Sequence, residues 1–138
     1  MTPEQATYSG WLRRLDSTED FASLDPREWP EIAIESCRLA LTASGVEDRA
    51  AVEALAVVEA GQTDATASAS MRELTTQLDE AAFDAQEAGD ASQYDSLFRQ
   101  ARAVSALAFA LSQKPDEAIY EAAYAVGTPQ ELMRQLAA

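Results

Sequence analysis

The residues of this sequence that are most able to do chemistry are its carboxylates. Asp and Glu account for 24 of the 138 residues. Several of them recur at intervals of three or four positions, which places their side chains on one face of a helix. Carboxylates that converge in this way are suitable ligands for hard cations such as Mg²⁺, Mn²⁺ and Ca²⁺. Three groups have the spacing: Glu28, Glu31 and Glu35; Glu80, Asp84 and Glu87; and Glu117 and Glu121.

These acidic groups do not form a motif specific enough to assign a metal site. Glu28-Trp-Pro-Glu31 and Glu87-Ala-Gly-Asp90 have the spacing of the Mg²⁺-binding motifs of all-α nucleotide pyrophosphohydrolases, but Pro30 interrupts the first and Gly89 ends a helix within the second. We therefore predict no catalytic residue, no metal and no cofactor. A helical enzyme or small-ligand binder that uses a carboxylate-bound divalent metal is the alternative hypothesis.

Other reactive side chains are scarce. The chain has no histidine and one cysteine, which excludes the usual zinc and copper sites, an internal disulfide and a Cys–His nucleophile. Cys37 shares a predicted helix face with Ile34 and Leu41, so we expect a small buried apolar side chain. Lys114, the one lysine, precedes Pro115 in a predicted loop and is expected to be a solvated cation.

Two arginines stand out in a chain with few cations. Arg99 and Arg102 lie three residues apart in a long predicted helix. One hypothesis is that they bind an anionic ligand or carboxylate through their planar guanidinium groups. The other, which we favour, is that they pair with Asp or Glu of this chain while their stems pack along the bundle.

The net charge limits the partners. A formal charge of −14 argues against binding to nucleic acid, whose phosphates require Lys and Arg, and against binding to an anionic membrane surface. The first residues show no positively charged segment followed by an apolar run, and no stretch of about 18 apolar residues occurs, as a membrane span requires. We expect a soluble, cytoplasmic protein.

The acidic surface has three competing explanations: a soluble domain with no role for the charge, a small inhibitor or immunity-type protein that covers a basic partner, and adaptation to high salt. We predict a protein that acts by protein–protein contact rather than as an enzyme. The acidic faces of the helices at 70–88 and 116–126 would meet the partner, through Glu80, Asp84, Glu87, Glu117 and Glu121. Besides contact with a basic partner and the enzyme alternative, homodimerisation through an Ala-rich or aromatic helix face is a third possibility.

The pattern that must position these residues is helical throughout. The chain contains 29 alanines, with Gly45, Gly61, Gly89 and Gly127 placed where helices should end. We predict an all-α, single-domain bundle of six or seven helices joined by short loops. Its parts are an N-terminal helix plus an irregular turn segment (1–29), a helix hairpin (30–60), a long helix hairpin (70–111) and a C-terminal helix pair (116–138).

Several local features refine this prediction. The capping-box sequence Ser70-Met-Arg-Glu73 predicts the start of a helix that runs to Ala88, and Lys114-Pro115-Asp116 predicts the end of one helix and the cap of the next. A helix that is apolar nearly all round after residue 102 is expected to be central. Aromatic side chains, Phe83 among them, are expected to supply much of the apolar burial. In the second helix, the side chains of Val52, Leu55, Ala56 and Val58 are predicted to face inward.

Overall fold

A computed structural model describes residues 24–138 and confirms the all-α bundle for this part of the chain. The helix predicted over residues 3–15, with Tyr8, Trp11, Leu12 and Leu15 on one face, lies outside the described residues. A 3-10 turn at Pro26–Glu28 precedes six α-helices within 24–138. They are α1 (Trp29–Ser44), α2 (Arg49–Glu59), α3 (Ala65–Glu87), α4 (Ala91–Leu111), α5 (Pro115–Val126) and α6 (Pro129–Ala137).

Side-chain caps and glycines explain most of the helix ends. Pro30 lies in the first turn of α1, where its missing N–H has no helical acceptor to lose. Gly45 ends α1 with a left-handed φ of 70°, and Gly127 ends α5 at a φ of 137°, conformations that favour glycine. Side-chain oxygens accept bonds from first-turn N–H groups at Asp48, Asp64, Asp90 and Thr128.

The predicted start of α3 is wrong by six residues. Asp64, rather than Ser70, caps the helix, and it accepts a hydrogen bond from the backbone N–H of Ala67 at 3.0 Å. The early start is fixed by contacts with the end of α4: Ser68 Oγ donates to the carbonyl of Ala108 at 2.8 Å, and the N–H of Asp64 donates to the carbonyl of Leu111 at 3.2 Å. The capping-box pattern is local, whereas these contacts come from residues forty or more positions away.

Helix α4 is central, as its sequence predicts. It packs against α1, α2, α3 and α5, and every residue from Ala103 to Ala108 is buried. Its longest contact is with α3, which runs antiparallel to it. The two helices of the predicted 30–60 hairpin, α1 and α2, contact each other less than expected, because α2 packs more extensively against α4 than against α1. Helices α4 and α5 pack against each other, and several of their alanines are fully buried (Ala103, Ala106, Ala118, Ala122 and Ala125).

The structure decides three sequence predictions about which side chains are buried in the core. Cys37 is buried, as expected, and burial raises the pKa of its thiol to about 12, so it is not a reactive thiolate at neutral pH. Val52 is 50% exposed and Phe83 is 62% exposed, so both inward predictions are wrong. Val58 is buried as predicted, and Ala51 and Ala54, rather than Val52 and Ala56, complete the buried face of α2.

Candidate functional site

The part of the molecule with the most distinctive surface is the end of the α3–α4 hairpin. We call residues 79–98 the acidic arm: the last turns of α3, the connection through Gly89, and the first two turns of α4. Among residues 79–100 only Ala82 is buried, so this end of the hairpin lies outside the bundle core. The arm contains no Lys or Arg, and its six acidic residues are Asp79, Glu80, Asp84, Glu87, Asp90 and Asp95.

An exposed aromatic side chain lies in the middle of this charge. Phe83 follows Glu80 by three positions and precedes Glu87 by four, so the three side chains are neighbours on the outer surface of α3. On the other helix of the arm, the rings of Tyr94 and Phe98 stack with their centroids 6.0 Å apart. A large exposed apolar side chain is a feature of contact surfaces when it is rimmed by polar residues.

Arg102 fixes the base of the arm to the bundle. Its guanidinium donates to both oxygens of Asp79 on α3, at 2.7 and 3.0 Å, and to both oxygens of Glu121 on α5, at 3.2 Å. Ser105 Oγ donates to Glu121 at 3.1 Å, and the guanidinium lies 5.3 Å from the centroid of the Phe98 ring. One cation therefore joins three helices through charge-assisted bonds.

Arg99 forms a second connection at the same level. Its Nε donates to the carbonyl of Ala125 at 3.0 Å and its Nη2 to the carbonyl of Val126 at 2.8 Å. These are carbonyls of the last turn of α5, which lack helical donors and carry the negative end of the helix dipole. Arg102 therefore pairs with carboxylates of its own chain, whereas the bonds of Arg99 described here go to main-chain carbonyls rather than to the Asp or Glu side chains favoured from sequence.

The five residues predicted to contact a partner divide into two sets. Glu80, Asp84 and Glu87 are exposed on the arm. Glu121 is not part of an exposed acidic face, because its side chain is 15% exposed and paired with Arg102. Glu117 is partly buried, and that burial raises its pKa. Helix α5 packs between α1 and α4, which buries most of its surface and leaves no wide acidic face at 116–126.

The carboxylates do not assemble into a cation site in the part of the chain that the structure describes. Across residues 24–138 no three Asp, Glu or Cys side chains are placed to hold a metal ion. Glu35, a member of the first group predicted from sequence, is paired with Arg38, and Arg38 also binds Glu59. The divalent-metal hypothesis therefore gains no geometric support from these residues.

A cavity at one end of the bundle has a different character from the arm. It has a volume of about 420 Å³ and lies between the start of α1, the loop after α2 and the corner from α4 to α5. Trp29, Ile34, Val58 and Pro115 contribute apolar walls, and Gln113 contributes a polar edge. None of the described residues that line it is acidic, so it offers no carboxylates for metal-assisted chemistry.

Sequence reasoning missed two residues of interest. Phe83 was detectable, because its spacing from Glu80 and Glu87 already places it on the polar face of α3. The burial of Asp116 could not be detected from sequence, because nothing near this residue shows that a carboxylate in the first turn of α5 would be 1% exposed.

Comparison with known proteins adds no relative. The chain matches no protein-family model, no curated protein and no solved structure. Among the described helices, none combines the length and apolar character needed to cross a membrane.

Proposed function

We propose that this protein acts by contact with a basic protein and that the acidic arm makes the contact. The observation that carries the proposal is the exposed Phe83 within a segment of six acidic residues and no basic ones. Interfaces of this kind combine an aromatic anchor at the centre with charges around it. An inhibitor or immunity-type role, in which the arm covers the basic site of a toxin or nuclease, is the form of this function that fits best.

The charge supports fast and selective association. A surface with one sign of charge steers an oppositely charged partner toward it and rejects partners of the same sign. The same argument disfavours the arm as a homodimer interface, because two copies would bring together twelve carboxylates, six from each arm. A basic partner is therefore favoured over a second copy of this chain.

Anchoring at the base supports tight binding. Arg102 ties the arm to α5 through Asp79 and Glu121, and Arg99 ties α4 to the end of α5. A surface that is held in place before binding loses less conformational entropy when the partner arrives. The arm is thus a preorganised surface whose outer residues are left free for contact.

The experiment is site-specific photo-crosslinking in cells of the source organism, followed by binding measurements. A photoreactive phenylalanine at position 83 should capture a protein rich in Lys and Arg, and the same group at Val52, the other large apolar residue exposed within 24–138, should not. With the purified partner, the variant Glu80→Gln/Asp84→Asn/Glu87→Gln should bind at least about tenfold more weakly at low salt, and the difference should shrink in high salt.

The matched control removes the same charge elsewhere. Glu28→Gln/Glu47→Gln/Glu53→Gln also changes the formal net charge from −14 to −11, but its three sites lie outside the arm, and its affinity should stay within about twofold of the parent protein. If the two triple variants weaken binding equally, net charge alone accounts for the effect, and the arm is not the contact surface. Capture of a second copy of this chain at position 83 would replace the basic partner with a homodimer.

A further inference from the structure

Asp116 is a buried acid that the proposed function does not use. It lies in the first turn of α5, is 1% exposed, and neither of its carboxylate oxygens is paired with another side chain. Burial of an unpaired charge is unfavourable, so the protonated form is preferred in this position. Burial raises the pKa of Asp116 to about 6. The backbone N–H groups of Glu117 and Asp116 and the charge of Lys114 oppose this effect, and the negative charge of Glu117 adds to it.

The helices packed against α5 do not neutralise Asp116. Helix α4 has no ionisable residue between Arg102 and its end, and its two arginines bind the middle and far end of α5. The charged groups of α1 and α6 are exposed or engaged with other residues: Glu31, Glu35, Arg38, Glu131 and Arg134. Among the described residues, Lys114 and Glu117 are the charged groups that act on Asp116.

The corner that holds Asp116 is also a wall of the apolar cavity. Gln113 and Pro115 both line the cavity, and Asp116 follows them directly. Gln113 has a φ of 62°, a left-handed conformation that is uncommon for a residue with a side chain. Lys114, at the N-cap of α5, makes no side-chain cap. The corner therefore combines an unfavourable backbone conformation with an uncapped helix start.

We propose that the corner from Ser112 to Asp116 is a proton-operated latch on this cavity. With Asp116 protonated, the carboxyl stays buried and the corner is closed. When the proton is released to water, the carboxylate moves toward solvent, and Pro115 and Gln113 move away from the cavity with it. The equilibrium between the closed and open corner thus follows the protonation of a single side chain.

Amide hydrogen exchange of the full chain, read by mass spectrometry, tests the latch. Once intrinsic exchange rates are corrected for, segment 112–118 should open about tenfold more between pH 5 and pH 7.5, because an acid with a pKa near 6 when closed and near 4 when open favours opening by that factor. Asp116→Asn should remove the pH dependence. Glu117→Gln, which changes the neighbouring acid, should retain it.

The cavity has its own reporter. In a Trp11→Phe background, acrylamide quenching of Trp29, which lines the cavity, should rise over the same pH range and not rise when Asp116→Asn is added. Equal protection of segment 112–118 at both pH values, or pH dependence that survives Asp116→Asn, would overturn the latch. So would parallel loss of protection in α1 and α4, which would indicate global unfolding. If the variants do not fold, an Asp116 titration midpoint below about 4.5 in carboxyl NMR of the parent protein would also overturn it.

Discussion

Replacing Arg102 by methionine is the perturbation that best tests how the arm is held. Methionine preserves much of the side-chain length and apolar stem, so the change removes the guanidinium with little loss of packing. Glu121, 15% exposed, would then retain only the hydroxyl of Ser105 among the partners described here. Asp79 would become a solvated carboxylate, because its side chain is 34% exposed.

The expected cost follows from these exposures. Breaking a fully buried ion pair costs about 3–5 kcal/mol, whereas exposed pairs contribute about 0–1 kcal/mol. The side chain of Arg102 is 18% exposed, and those of its partners Asp79 and Glu121 are 34% and 15% exposed. We therefore expect Arg102→Met to lower the free energy of unfolding by about 2–3 kcal/mol. For a chain of this length, this corresponds to a decrease in Tm of about 7–10 °C.

Urea denaturation followed by circular dichroism measures the cost, and a double-mutant cycle with Glu121→Gln isolates the pair. A coupling energy of about 1–2 kcal/mol is expected. Arg38→Met is a matched control, because Arg38 also joins carboxylates on two helices, Glu35 and Glu59, but is 45% exposed. It should cost less than about 1 kcal/mol.

Equal, small effects of the two arginine substitutions would refute this reasoning. They would show that the bonds of Arg102 are no stronger than those of a surface ion pair. In that case the hypothesis of an anionic ligand at Arg102 would regain support, and inorganic phosphate should raise the Tm of the parent protein but not that of Arg102→Met.

Two further predictions concern helix starts. Burial raises the folded-state pKa of Asp116 from 3.8 to about 6, so its contribution to stability is full below pH 4 and is lost as the pH rises through 6. Asp116→Asn should therefore stabilise the protein at pH 7.5 by up to about 3 kcal/mol and change its stability little at pH 4. Urea denaturation at the two pH values measures this difference, and a larger stabilisation at pH 4 than at pH 7.5 would contradict the prediction. Asp64→Ala should lower the free energy of unfolding by about 1 kcal/mol, and the midpoint of thermal unfolding with it, because it removes the cap of α3. Ser70→Ala, inside the helix, should change that midpoint little. A larger effect of Ser70→Ala than of Asp64→Ala would support the helix start predicted at Ser70.

The fold class and most helix ends could be predicted from local sequence, since they depend on local chemistry. Glycine tolerates the left-handed φ that ends α1, and proline fits the first turn of α5 and α6, so these boundaries are visible without tertiary information. The start of α3 was predicted wrongly because Ser68 and Asp64 are fixed by backbone groups at the end of α4. Such contacts leave no periodic signal near the residues that make them.

The candidate site could be predicted only in part, for a related reason. The acidic stripe of Glu80, Asp84 and Glu87 follows from helical spacing alone. The pairing of Glu121 with Arg102, and the burial of Asp116, depend on which helices cover α5. In a chain so rich in alanine the apolar faces are wide, so several helix arrangements bury them equally well. Sequence therefore predicts the polar surface of α3 better than the surroundings of α5.

The burial of small side chains in α4 and α5 limits how this protein can change during evolution. Alanines of these two helices, such as Ala106 and Ala122, have no exposed surface, and any larger side chain there would overpack the core. Sequence drift at these positions is therefore confined to residues of similar size, such as glycine and serine. Variation among relatives should concentrate on the outer surfaces of α2 and the arm, where new partners can be acquired without altering the spacing of the central helices.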